Sequence, residues 1–157
     1  MEPQISDNSG NRMIGDCRFA IGRSSGRSIM EYTPNALEER LIDFGAAICK
    51  AVRGLPRDYV GTHLHRQLVR SATSPAANYA EARGAESTRD FVHKMQVCLK
   101  ELRETSLWLR FVHRLCGSTV DTDRLTRECS ELIAVFVSGI NTAKAKSRRR
   151  QQRQPAG

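Results

Sequence analysis

The sequence predicts an all-α protein, an antiparallel up-down-up-down four-helix bundle, and three observations carry that prediction. Four successive stretches space their apolar residues by three and four, the period of a helix with one buried face. Brief Gly-, Pro-, Ser- and Asp-containing segments separate them. No strand-like alternation interrupts residues 34–146, and short links force neighbouring helices to run antiparallel. A chain of 157 residues is the size of one domain. With 39% hydrophobic residues and only 6% aromatics, its core must be built mainly of Leu, Ile, Val and Ala.

Residues 1–33 come first and read as a disordered leader. They are rich in Gly, Ser and Asn, with too little apolar surface to offset the entropy of ordering. Thr33-Pro34 then supplies an N-cap followed by proline at the first helical position. Leu37, Leu41, Phe44, Ile48 and Val52 form the apolar stripe of the first helix, and Gly54 and Pro56 stop it. The second helix is expected over residues 59–83, with Leu64, Leu68, Ala72, Pro75 and Tyr79 on one face. Pro75 lacks an N–H and crowds the preceding turn, which predicts a kink near Ser71–Ser74.

Ser87 with Asp90 three residues on is a variant capping box. The helix it opens repeats Phe91, Met95, Cys98, Leu102, Thr105, Leu109 and Val112 at strict 4-3 spacing, a heptad seam that Gly117 ends. At about 1.5 Å per residue this helix is roughly 43 Å long. The last begins near Asp121–Asp123, whose carboxylates suit a helix N-terminus. It buries Leu125, Cys129, Leu132, Phe136, Ile140 and Ala143. The bundle is expected to end at residue 146, with residues 147–157 a basic disordered tail.

The net charge of +8 is unevenly placed. The leader balances four Arg against four acids, and residues 34–143 carry 15 Lys or Arg against 13 Asp or Glu. From Lys144 onward there are six cations, Lys144, Lys146, Arg148, Arg149, Arg150 and Arg153, and no acid. Such a cluster, devoid of aromatics, engages phosphates by charge rather than by stacking. Antiparallel geometry predicts a second basic patch at the opposite end, where Arg53 and Arg57 meet Arg110, Arg114 and Arg124. Asp58, Asp121 and Asp123 share that end and partly cancel it.

Catalytic and metal signatures are wanting. The sequence holds no ExxH pair of the kind di-iron bundles use, no HExxH, no GxSxG and no phosphate loop. His63 and His65 stand two apart on a helix and so on different faces. The expectation is a non-enzyme with no metal and no cofactor. The five cysteines are odd in number and lack a CxxC, which fits reduced thiols packed as small apolar residues. No apolar run reaches the ~18–20 residues a bilayer needs, and the first thirty residues hold no apolar stretch for a secretory signal. A cytoplasmic protein without a membrane partner is expected. Polar residues interleaved with small ones on the second helix suggest close packing within the bundle or a subunit contact.

Three segments carry a resemblance: LEERLIDFGAAICKAV (37–52), RQLVRSATSPAANYAEA (66–82) and DFVHKMQVCLKELRETSLWLRFV (90–112). Over roughly residues 37–143 the chain resembles the small four-helix bundle proteins first noticed in intervening sequences of bacterial 23S ribosomal RNA genes. These have relatives among the accessory proteins of diversity-generating retroelements. The resemblance implies an up-down-up-down bundle and a homopentamer. For the retroelement branch it also implies a basic surface that engages nucleic acid and a reverse transcriptase partner. It carries no catalytic residues. Gln67, Arg70, Ser71, Asn78 and Glu81, with Lys100, Glu101 and Glu104, match motif positions and are expected at an interface or in structural roles. Ser74-Pro75-Ala76-Ala77 departs from the family, which has an aliphatic residue and Gly in place of Pro75 and Ala76.

The expected function is therefore a non-enzymatic, oligomeric bundle that binds RNA or DNA through charge as an accessory protein. The alternative is a structural or protein-partner adaptor with no nucleic-acid role.

Overall fold

The computed structural model describes residues 19–21, 30–117 and 120–153. Four helices dominate: α1 (Pro34–Ala51), α2 (Tyr59–Arg83), α3 (Thr88–Cys116) and α4 (Thr122–Arg153). Each begins where local chemistry dictates. The Thr33 hydroxyl accepts from Ala36 N at 3.2 Å, the Asp58 carboxylate from Gly61 N at 2.7 Å and the Ser87 hydroxyl from Asp90 N at 3.1 Å. Asp121 serves α4 in the same way, accepting from Arg124 N at 3.3 Å. These side chains satisfy amide donors that have no partner inside the first turn. After α1 a 3-10 turn, Val52–Gly54, tightens the chain before Pro56. Gly117 closes α3 with a φ of 57°, a conformation that glycine adopts without steric penalty.

The helices pack as an antiparallel bundle in which α2 and α3 are the most intimate neighbours, followed by α3 and α4. Every apolar stripe position expected from spacing is buried, from Leu37 in α1 to Ala143 in α4. Each fully buried Leu, Ile or Phe contributes about 1.5–3 kcal/mol. At mid-core the Tyr79 ring meets Phe136 edge-on, centroids 5.9 Å apart. Leu55, Leu99, Val120 and Val135 join this core from positions outside the expected stripes. α2 is continuous across Pro75, which is itself buried.

Two elements differ from expectation. Within the leader, expected to be disordered, β1 (Phe19–Ile21) and β2 (Met30–Tyr32) pair antiparallel, and β1 runs alongside α4. Apolar residues stand opposite one another in this register, Phe19 with Tyr32 and Ile21 with Met30, a two-residue alternation that suits a strand. The remainder of residues 1–33 lies outside the described residues. At the other terminus α4 does not stop at residue 146 but continues to Arg153. Lys, Arg, Ala and Gln are good helix formers, their cations favour a helix C-terminus, and no breaker occurs before Pro155. The four final residues of the expected tail, 154–157, lie outside the described residues.

Among the described residues, no helix is long and apolar enough to cross a membrane. Cys49, Cys98 and Cys129 are free thiols, whereas Cys17 lies outside the described residues. The Cys98 and Cys129 thiols donate to the carbonyls of Pro75 (3.5 Å) and Leu102 (3.2 Å). Burial pushes each thiol up to about 12, so both stay protonated.

Candidate nucleic-acid interface

Ala143 is the last buried residue of α4 among the described side chains, and Lys144 and Ser147 beyond it are half-buried. Lys144 and Arg148 lie four residues apart and therefore on one side of the helix. Together with Ser147 they face the first turns of α3, where Arg89, His93 and Gln96 complete a groove of about 380 Å³. Among the described residues, no acidic one lines it. The amide ends of α3 add partial positive charge at the same place. Lys146, Arg149 and Arg150 are exposed and fall on the other sides of α4 by helical spacing. Arg153 ends the helix.

The four basic residues expected in a coil, Arg148, Arg149, Arg150 and Arg153, are thus carried on the same helix as Lys144 and Lys146, and Lys144 and Arg148 meet Arg89 and His93. Reading the sequence missed those two residues. Their signal was available: both lie on the face of α3 opposite the heptad seam.

At the opposite end of the bundle, Arg53, Arg57, Arg110 and Arg114 are all exposed and make no ion pair among the described residues. Of the acids that share this end, Asp121 offsets Arg124 directly. Asp58 is occupied in capping α2, and Asp121 caps α4 while pairing with Arg124 at 3.0 Å. Asp123 lies 3.7 Å from His113 Nδ1.

The residues expected at an interface or in structural roles cluster along the α2–α3 seam. Arg70 donates to Gln67 (3.2 Å) within its own helix and pairs across the seam with Glu104, which also accepts from the Trp108 indole at 3.3 Å. Ser71 is fully buried against Thr105, their hydroxyls 2.9 Å apart. Glu81 pairs with Lys94, and that hydrogen bond holds the ammonium above its ordinary value. Asn78 turns back on its own helix, donating to the Ser74 carbonyl and hydroxyl at 3.0 Å each. Glu101 is only 8% exposed, and its Oε2 has no hydrogen-bond partner among the described residues. Lys100, its neighbour, points to solvent. No group of three His, Cys, Asp or Glu that could hold a metal occurs among the described residues.

Comparison with known proteins follows the same lines. The family model described as 23S rRNA-intervening sequence protein matches residues 37–138. A crystal structure of a protein of unknown function from the S23 ribosomal protein family of Bacteroides thetaiotaomicron is similar, with a TM-score of 0.62 and 26% identity. The match covers 69% of this chain and 97% of that one. No curated protein sequence matches the chain.

Proposed function

We propose that this chain, which belongs to the 23S rRNA-intervening sequence protein family, is a non-enzymatic accessory protein that binds RNA or DNA by charge. The observation that carries this reading is the acid-free groove where Lys144 and Arg148 of α4 meet Arg89 and His93 of α3. A helix presents its cations at set spacings, so less ordering entropy opposes phosphate binding than a coil would incur. Lys146, Arg149 and Arg150 extend the basic surface beyond the groove, and Arg153 follows in the sequence. Arg53, Arg57, Arg110 and Arg114 supply a second region at the far end.

Self-association into a homopentamer belongs to the same reading by resemblance. It would multiply the basic ends and raise avidity through effective concentration. The resemblance to retroelement accessory proteins adds a polymerase of the reverse transcriptase type as a proposed partner. Native mass measurement tests the oligomer, and a monomer at micromolar concentration would remove that element of the proposal.

Deleting residues 147–157 tests the site, because it removes Arg148, Arg149, Arg150 and Arg153 while sparing Ala143 and the core. The slope of log affinity against log salt should then flatten by up to about 0.9 for each duplex phosphate that these arginines neutralise. Thermal stability should stay where it was. An unchanged slope would move the site elsewhere. Failure of the full chain to bind either nucleic acid at low salt would favour the adaptor reading.

A further inference from the structure

Opposite its buried heptad seam, α3 carries a second seam with the same 4-3 spacing. Arg89, Lys100, Arg103, Arg110 and Arg114 fall on it, all exposed and none in an ion pair among the described residues. His93, Gln96 and Leu107 occupy its remaining positions, and no acid interrupts it. From Arg89 to Arg114 it runs roughly 37 Å at about 1.5 Å per residue. One end opens into the groove under Arg148, and the other ends in aromatic rings.

Those rings form a continuous array. His63 of α2 meets Trp108 edge-on with centroids 5.6 Å apart, and Trp108 meets Phe111 at 5.6 Å and a 38° tilt. Phe111 is 45% exposed, a large fraction for a phenylalanine in so small a protein. Tyr59, 90% exposed, stands one turn before His63 on the same face of α2. Of the carboxylates near the rings, Glu104 is taken up by Arg70 and the Trp108 indole, and Asp58 caps α2.

A row of unpaired cations that ends at exposed rings is what a single strand of nucleic acid requires. Its backbone follows a cationic track while its unpaired bases stack on aromatic faces. A duplex cannot use the rings, since its bases are already stacked. An isologous contact with a second copy would set like charges against one another. From this juxtaposition we infer that the outer face of α3 is a single-strand track. Lys100, Arg103, Arg110 and Arg114 hold phosphates, and Phe111 and Tyr59, backed by Trp108, receive bases. This rests on the nucleic-acid reading above and adds strand preference to it.

Trp108 is the one tryptophan in the chain and reports directly on the site. Titrating the full-length protein with oligo(dT) should quench its emission, whereas a duplex of equal length should bind without quenching. Phe111→Ala and Tyr59→Ala should each weaken oligo(dT) binding roughly 5- to 100-fold and leave duplex binding unchanged. A Lys100→Ala/Arg103→Ala double variant should flatten the single-strand salt slope by up to about 1.4. Equal binding of both forms, with no quenching and no effect of Phe111→Ala, overturns the track and leaves charge-driven binding standing. Binding of neither form at low salt removes both. A smaller native mass for Phe111→Ala would instead mark this face as a contact between copies and overturn the track.

Discussion

The hydroxyl of Ser71 lies 2.9 Å from that of Thr105, both fully buried where α2 crosses α3. Thr105 Oγ1 is also 2.9 Å from the Glu101 carbonyl oxygen. A carbonyl only accepts, so two protons serve the chain: Thr105 donates to the carbonyl and Ser71 donates to Thr105. Thr105→Val should cost about 1–3 kcal/mol, because it leaves the buried Ser71 hydroxyl without an acceptor. Adding Ser71→Ala should restore part of that loss. Urea unfolding of the single and double variants measures the coupling, and strictly additive costs would refute it.

Gly61 sits in the first turn of α2 directly against the Pro56 carbonyl. A Cβ there would lie 1.9 Å from that oxygen, a distance that forces the backbone apart. Gly61→Ala is therefore expected to be destabilising although alanine is the better helix former. A loss of more than about 2 kcal/mol would place it among the overpacked core substitutions. An unchanged midpoint in thermal unfolding would show that the α1–α2 connection yields freely.

Arg40 ties α1 to α4, where those helices meet least closely. Its Nε and Nη2 engage the two carboxylate oxygens of Glu128 at 2.6 and 2.9 Å, and Nη2 also reaches Glu131 at 2.6 Å. Arg40→Ala should cost about 1–2 kcal/mol. Arg40→Lys should recover little of it, since an ammonium cannot reproduce the planar fork. Full recovery in the lysine variant would mean that charge alone holds the seam.

The two core thiols, at about 12, should resist alkylation in the native state. At pH 8 their thiolate fraction is about a thousandfold below that of an ordinary thiol. Mass spectrometry after brief iodoacetamide treatment should find Cys49 modified before Cys98 or Cys129. The same shift gives a sign for stability. A raised thiol value favours the folded state below the ordinary thiol range, and that contribution disappears as pH climbs from about 9 towards about 12. The melting temperature should fall across that window. In a Cys98→Ala/Cys129→Ala variant the fall should be shallower.

Residue by residue, the helices and their buried stripes were legible in the sequence. Thr33, Asp121 and Ser87 cap where capping chemistry puts them, and Leu37 through Ala143 are buried where a 3.6-residue period points inward. These are local properties: a cap or a stripe depends on neighbours within two turns. The helical course of residues 147–153 was equally local but was outweighed by charge and by the end of apolar periodicity. The pairing of Arg70 with Glu104 and the meeting of Arg89 with Arg148 could not be read the same way. They depend on the rotation of each helix about its axis and on its depth against its neighbour. The same holds for the rings of His63, Trp108 and Phe111, drawn from two helices. The sequence alone determined which face of each helix turns inward, because the hydrophobic effect needs only the period. Tertiary structure decided which outward residues become neighbours, because side-chain packing between helices sets their rotation and stagger.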